Sequence, residues 1–355
     1  MQVVFAINSI LSLMTIDENV SLKDYSTMRL GGFSRYLTTV SSVEDMMHAI
    51  EYAIEHSLTI IVIGEGSNVI WRDEGFQGLT IINRIKGFTL NTTTEDYTLV
   101  SVGAGEIWDE VVGKTVDLGL SGLEFLSLIP GTTGATPIQN VGAYGQEIAK
   151  LLVELKAYDL KTKKLVTINN TDCNFGYRSS RFNTNDQHRF IILEVQLKLS
   201  KQPPKPPFYD SLNQYLLNNH ITDFTAQTIR QAVITIRQNK LPDPKKIANC
   251  GSFFSNPTIS YNLFTDILAN YPDIIYWPTN NNQIKLSAAW LIEQAGFKDY
   301  YHEKTGFGTY SQQPLVIVNY KGKKTKDLAS FVSIIQQAVK QKFNVRLSQE
   351  PVLLP

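Results

Sequence analysis

Cysteine is nearly absent from this 355-residue chain, which holds two, Cys173 and Cys250. Two thiols make neither a disulfide framework nor a four-thiolate zinc site. Histidine is also thin: His48, His56, His188, His220 and His302 are the five, none at HxH or HExxH spacing. A protein-bound catalytic metal is therefore not expected. There is no excess of either charge, since 33 Lys+Arg balance 33 Asp+Glu. A broad basic surface for nucleic acid or an anionic membrane would need such an excess, so neither partner is expected. No uninterrupted apolar run reaches membrane-spanning length. The N-terminus (MQVVFAINSILSLMTI) is apolar, but no Lys or Arg precedes Lys23. Without a basic start or a convincing small-residue cleavage site it does not read as a secretory signal, and the cytoplasm is the default.

What remains is a globular composition, 43% apolar and 19% charged. At roughly 150 residues per domain, the length predicts two or three domains with sizeable cores. Ser42 precedes Val43, Met46, Met47, Ile50 and Ile54 at helical spacing, and Asp45 completes a capping box. Leu58-Thr59-Ile60-Ile61-Val62-Ile63 reads as a buried strand running into Gly64. Helix followed by buried strand indicates an α/β or α+β layer rather than a bundle. A further helix is predicted around Ile107, Trp108, Val111 and Val112, ending at Gly119, and a strand through Leu193, Val195, Leu197 and Leu199. Four prolines among residues 203–207 predict a loop, linker or lid. Helices follow at about 225–239, before Gly296, and through Leu328, Phe331, Ile335 and Val339, and residues 343–355 look extended.

Four segments carry possible chemistry. Gly64-Glu65-Gly66-Ser67-Asn68 follows a strand and suits a nest of amides around phosphate oxygens. It is not a dinucleotide fingerprint, because Val69 replaces the third glycine and strand-like sequence follows. A tight turn between strands is the plain alternative. Residues 129–145 (IPGTTGATPIQNVGAYG) hold four glycines and three threonines with no charge. Such a stretch offers free N–H groups and hydroxyls to a pyrophosphate or a flat ring, and its apolar members are too many for a surface loop. In Asn249-Cys250-Gly251-Ser252-Phe253-Phe254, small neighbours leave the Ser252 hydroxyl accessible, as proton donor or as simple hydrogen-bonding group. No G-x-S-x-G elbow surrounds it. Arg178, in Phe175-Gly176-Tyr177-Arg178-Ser179-Ser180, could clamp a carboxylate or phosphate, or be a solvated charge. Glu350 in the tail is anonymous by itself.

Taken together and in order, these segments resemble the UDP-N-acetylenolpyruvoylglucosamine reductase (MurB) family. The similarity also runs through Ser26-Thr27-Met28-Arg29-Leu30-Gly31-Gly32, Ile82-Asn83-Arg84-Ile85-Lys86-Gly87, Gly103-Ala104-Gly105 and Gly122-Leu123-Glu124. It continues in Lys240-Leu241-Pro242-Asp243-Pro244, residues 251–257 and Phe343-Asn344-Val345, so it spans nearly all of residues 20–352 and leaves about the first 18 aside. The resemblance implies an α+β fold of the vanillyl-alcohol-oxidase/p-cresol-methylhydroxylase type, in which two subdomains hold FAD and a third covers the substrate. The expected boundaries are 1–86 joined by the tail 343–355, 87–238, and 239–342. It further implies an enzyme, an NADPH-dependent flavoprotein reductase of peptidoglycan precursor synthesis, serving cell-wall biogenesis, shape and division. The UDP-sugar substrate is UDP-N-acetyl-3-O-(1-carboxyvinyl)-glucosamine, the product UDP-N-acetylmuramate, and the enzyme is expected to be a cytoplasmic monomer.

By the same resemblance, hydride passes from flavin N5 to C3, Ser252 protonates C2, and Arg178 with Glu350 polarises the carboxylate. FAD contacts are expected from Gly64, Glu65, Gly66, Ser67 and Asn68, and from Pro130, Gly131, Thr132, Gly134, Ala135, Gln139, Asn140, Gly142, Ala143 and Tyr144. Substrate contacts are expected from Tyr177, Tyr209, Arg237, Lys240, Asn256 and Gln294, with Tyr209 marking the form of the family whose tyrosine loop folds over the sugar nucleotide. Three positions depart from the family pattern. Cys250 stands where alanine is common, giving either an oxidant-sensitive site or a buried thiol; Ser255 replaces an often basic residue; Pro351 follows Glu350. The competing readings are a flavin oxidase of the same fold and a catalytically silent flavin or sugar-nucleotide binder.

Overall fold

The structure is a computed structural model that describes residues 14–279 and 282–355, together with the backbone of Val3–Val4. Most of the apolar N-terminus considered above lies outside the described residues. The chain divides into two compact units, one of Met1–Val20, Ser34–Glu65 and Phe76–Arg237, the other of Ser21–Phe33, Gly66–Gly75 and Gln238–Pro355.

The first unit is built on two five-stranded sheets. In one, Phe33–Val40, Phe76–Asn83 and Ile60–Ile63 lie side by side, each pair parallel. Helix α1 (Val43–Glu55) covers them. The Ser42 hydroxyl accepts the Asp45 N–H and the Asp45 carboxylate accepts the Ser42 N–H, so both donors at the helix start are satisfied. Met46, Ala49, Ile50 and Ala53 then fall on one face and are buried against Leu79 and Ile81. The other sheet is antiparallel, in the order Lys164–Asn169, Leu152–Asp159, Phe190–Ser200, Tyr97–Gly103, Phe88–Thr93. Helix α2 (Trp108–Asp117) packs Trp108, Val111 and Val112 into its core, and Gly119 follows the helix at φ +72°. After the proline cluster come α3 (Asp210–Asn218) and α4 (Ala226–Lys240). They share a small core of Phe208, Leu212, Leu216, Ile229 and Val233, on which Phe125 and Tyr144 rest.

The second unit is built on an antiparallel sheet in the order Ala248–Ser252, Gln313–Asn319, Phe307–Tyr310, Tyr301–His302. A three-stranded sheet orders Thr258–Ser260, Gln283–Leu286 and Tyr276–Pro278. Helices α5 (Tyr261–Asn270), α6 (Ala288–Gln294) and α7 (Thr325–Phe343) enclose Phe253, Phe254, Phe307 and Phe331, all fully buried. Truncating one such ring to Ala costs about 3–5 kcal/mol. Helix α7 ends at Asn344 in the left-handed conformation (φ +55°). The tail then runs back as Val352–Leu354, parallel to Val69–Trp71. No described helix is long and apolar enough to cross a membrane, and among the described residues no group of His, Cys, Asp and Glu could hold a metal ion.

Candidate active site

In the first unit the glycine-rich segments converge. A Cβ on Gly64 would lie 2.2 Å from Thr132 Oγ1, and one on Gly134 would lie 2.6 Å from the Ala104 Cβ. At Gly64 a side chain would collide with the buried Thr132 side chain, and at Gly134 with the methyl group and backbone of Ala104. Gly134 N donates to Ala104 O (2.9 Å), Thr133 N to Glu106 O (2.9 Å) and Trp108 N to Gly131 O (3.0 Å). Arg84 Nη1 donates to Gly64 O (2.9 Å), while its guanidinium lies 3.8 Å from the Glu65 carboxylate. The expected segments at 64–65, 103–105 and 130–136 are therefore one assembly, with Thr132 and Thr133 buried and Pro130 and Ala135 exposed. Asp109 braces it: its Oδ1 accepts the N–H of Leu128 at 2.5 Å and Arg230 Nη1 at 2.7 Å. Burial alone would raise the Asp109 carboxyl, but the Arg230 and Leu128 hydrogen bonds prevail and hold it below the usual carboxylate range.

Arg178 sits in a tight turn. Gly176 and Ser179 exchange backbone hydrogen bonds (2.9 and 3.2 Å), and Arg178 takes the left-handed conformation at φ +51°. Asn183 Nδ2 donates to Arg178 O (3.1 Å), and Arg178 Nη2 donates to Gly142 O (3.0 Å). A Cβ on Gly142 would stand 2.8 Å from Glu147 Cγ and 2.9 Å from Gln146 O, so glycine lets the two arms of the hairpin close up beside the guanidinium. Tyr177, 45% exposed, has the Arg178 guanidinium 5.5 Å from its ring centre. Tyr144 meets Tyr209 edge-on at 6.1 Å and hydrogen-bonds Arg237. Burial pushes both the Tyr144 and Tyr209 phenols up. Arg237 also donates to Leu128 O (3.3 Å), and its Nε is buried with no hydrogen-bond partner. Burial pulls its guanidinium down from the usual arginine range, and the charge of Arg178 adds to this, against the opposing pull of Tyr144 and Asp109. Two neighbouring cations ringed by tyrosines make an anion-receptive surface.

The second unit carries the remaining candidates. Gly66 (φ +67°) has no room for a side chain, since a Cβ would lie 2.0 Å from Tyr25 O. Thr27 N donates to Gly66 O (3.1 Å), and the buried Thr27 Oγ1 has no hydrogen-bond partner in the protein. Ser67 and Asn68 continue this turn, and Val352 N donates to Asn68 O (2.9 Å). Ser252 ends the strand Ala248–Ser252, whose register shifts between Asn249 and Ser252. Asn249 builds that bulge: its Oδ1 accepts the Gly251 N–H (2.9 Å), its Nδ2 donates to Ile247 O (2.8 Å), and Gly251 sits at φ +72°. The tail runs alongside, with Glu350 N donating to Phe253 O (2.9 Å) and Ser255 N to Ser348 O (3.0 Å). Ser252 and Glu350 are thus on neighbouring extended strands, both half-buried. Pro351 does not disturb this pairing, because the N–H used belongs to Glu350.

Between the oxidant-sensitive and buried readings of Cys250, the structure gives the second. The residue is 5% exposed, and burial, with the Glu350 charge, pushes its thiol well above the usual range. Asn256 Oδ1 accepts the Ala288 N–H (3.0 Å) at the start of α6, Gln294 closes that helix, and Lys240 is exposed at the end of α4. Sequence reasoning missed Asp109, Asn183, Asn249 and Thr27. Only Asn249 carried a sequence signal, an Asn two residues before a glycine, the pattern of an Asx turn.

The chain matches the family model described as UDP-N-acetylenolpyruvoylglucosamine reductase, C-terminal domain, over residues 243–354, and the FAD binding domain model over residues 34–169. It is 38% identical over 337 residues to the UDP-N-acetylenolpyruvoylglucosamine reductase of Amoebophilus asiaticus, covering 95% of this chain and 98% of that one. To the protein of the same name from Pseudomonas putida it is 38% identical over 336 residues, covering 95% and 98%. The solved structure of UDP-N-acetylenolpyruvylglucosamine reductase from Thermus caldophilus shares the fold, with a TM-score of 0.68 and 23% identity, over 97% of this chain and 100% of that one.

Proposed function

The chain belongs to the UDP-N-acetylenolpyruvoylglucosamine reductase family, and from that premise we propose how its own residues carry out the family reaction. The enzyme is an FAD-dependent, NADPH-consuming oxidoreductase. It reduces the enolpyruvyl ether of a UDP-N-acetylglucosamine to the lactyl ether of UDP-N-acetylmuramate, a step in making peptidoglycan precursors. The finer assignments are a monomeric cytoplasmic enzyme and the role of each residue.

The residues present fit FAD. The converging loops at 64–65 and 130–136 are uncharged except for Glu65 and rich in backbone amides, and the buried Thr27 hydroxyl beside Gly66 still lacks a partner. The FAD contacts we propose are residues 64–68 together with Pro130, Gly131, Thr132, Gly134, Ala135, Gln139, Gly142, Ala143 and Tyr144. When bound, FAD supplies hydride transfer from NADPH to C3 of the enolpyruvyl group. As C3 gains hydride, charge builds at C2 and on the attached carboxylate. Arg178, anchored to Gly142 O, stabilises that charge, and a stabilising group preset by its own hydrogen bonds needs no reorganisation as the barrier is crossed. Ser252 delivers the proton to C2. A serine hydroxyl is a weak acid, so it serves only a strongly basic enolic carbon, and Glu350 is the proposed partner of Arg178 at the substrate carboxylate. Arg237, Tyr177, Tyr209, Lys240, Asn256 and Gln294 are the proposed contacts to the sugar nucleotide, Arg237 and Lys240 for its diphosphate.

The observation that supports the proton-donor assignment is the bulge built by Asn249 and Gly251, which ends the strand at a half-buried Ser252 flanked by a glycine. Ser252→Ala tests it. NADPH should still reduce the bound flavin at the wild-type rate, while its reoxidation by the sugar nucleotide falls about 100-fold or more, the scale of losing a general acid. Reoxidation at the wild-type rate would remove Ser252 from the reaction.

A further inference from the structure

Asn140 lies in the glycine-rich loop at φ +46° and is 1% exposed. Its side-chain amide is fully committed inside the first unit. Nδ2 donates to Glu147 Oε2 (3.0 Å) and to Gly176 O (3.0 Å), and Oδ1 accepts the Ala149 N–H (3.0 Å). Both amide hydrogens are spent, which leaves no donor for a ligand. The two acceptors differ in kind. Glu147 pairs with Gly142 across the short hairpin of Gly142–Ala143 and Gln146–Glu147. Gly176 opens the turn that holds Arg178 in its left-handed conformation, and Arg178 itself reaches back to Gly142 O. Asn140 therefore closes a ring: loop, hairpin, guanidinium, turn, and loop again.

We propose that Asn140 is a positioning residue for Arg178, tying the Gly176 end of the arginine turn to the hairpin whose Gly142 carbonyl receives the guanidinium. This rests on the assignment of Arg178 to the substrate carboxylate. A left-handed arginine is held by its surroundings rather than by its own backbone preference. With the donor to Gly176 O removed, the turn keeps the Asn183 bond and the guanidinium contact to Gly142 O, but its Gly176 end is no longer tied to the loop. A small misplacement of a charge-stabilising group is expensive: 1 Å costs about 100-fold.

The test uses the FAD-loaded enzyme and two variants. Asn140→Asp keeps the shape but sets a carboxylate against Glu147 and Gly176 O; Asn140→Ser adds no charge and leaves one hydroxyl on a shorter side chain, which cannot span Glu147, Gly176 and Ala149 together. Each is followed for FAD content, thermal melting, flavin reduction by NADPH and flavin reoxidation by the sugar nucleotide. The expected result is retained FAD, NADPH reduction within about twofold of wild type, and reoxidation slower by about 10- to 100-fold in both. When Asn140→Asp is combined with Glu147→Gln, the new amide can donate to the carboxylate placed at position 140. That restores the hairpin link but not the link to Gly176, so reoxidation stays slow. Normal reoxidation in either single variant, equal loss in both half-reactions, loss of FAD from both, or rescue by Glu147→Gln would each overturn the proposal. Arg178→Ala is the control. If it leaves reoxidation unchanged, the assignment of Arg178 itself has failed; if it is slow while Asn140→Ser is normal, only the positioning role has failed.

Discussion

Glu124→Gln is expected to flatten the pH dependence of stability. Glu124 has no exposure; its Oε2 accepts the Gly122 N–H at 2.6 Å, and its Oε1 is buried with no hydrogen-bond partner. Burial outweighs the two backbone hydrogen bonds and raises the carboxyl from its ordinary 4.5 to about 7. The folded chain therefore keeps a proton that the unfolded chain releases between those pH values. Since stability falls with pH wherever the folded state binds more protons, this stabilisation is complete below pH 4.5 and declines as pH rises, being lost by the time pH has passed about 7. At about 1.4 kcal/mol per pH unit the interval is worth about 3 kcal/mol. Glutamine retains an oxygen for the Gly122 N–H and cannot ionise. Urea unfolding of both proteins at pH 5, 6, 7 and 8, with equal FAD, should show the variant gaining about 3 kcal/mol on wild type from the acid to the alkaline end. Parallel curves would mean that Glu124 is already charged in its buried site, and the reasoning would fail.

Two further outcomes follow from packing. Gly64→Ala drives a Cβ to 2.2 Å from Thr132 Oγ1, so the loops at 64–65 and 130–136 must part. FAD should then dissociate at least about tenfold more readily, read by flavin fluorescence on dilution; an unchanged Kd would show that the loop contact does not shape the cofactor site. Both thiols should resist reagent in the native enzyme. Burial pushes Cys173 up to about 12, leaving about one thiolate in 10,000 at pH 8, and burial also holds Cys250 well above the usual thiol range. A disulfide reagent should therefore titrate no thiol before denaturant and both after it, and rapid native reaction of Cys250 would contradict the burial argument.

Helix α1 was legible because two independent signals agreed, the Ser42–Asp45 capping box and a 3.6-residue apolar period. The strand Ile60–Ile63 and the turn after it were legible from a β-branched run ending in glycine. The strand carrying Ser252 was not, because Asn249 and Gly251 have little strand preference and their bulge satisfies the backbone through the Asn249 side chain. The sequence leaves Cys250 open between an oxidant-sensitive and a buried thiol, and three-dimensional packing separates the two. Nothing in an arginine foretells a left-handed backbone, so the φ of +51° at Arg178 is not legible in the sequence. An asparagine in a glycine-rich loop reads equally well as ligand contact or internal brace, and the saturated amide of Asn140 appears only once Gly176 and Glu147 are beside it.

The central claim is the reaction. An anaerobic absorbance spectrum of the purified enzyme, taken before and after NADPH and again after the enolpyruvyl UDP-sugar, tests it most directly. The flavin bands should be present, bleach with NADPH and return with the sugar nucleotide in the absence of oxygen. A colourless protein that takes up no added FAD, or a bleached flavin that recovers only when air is admitted, would contradict it.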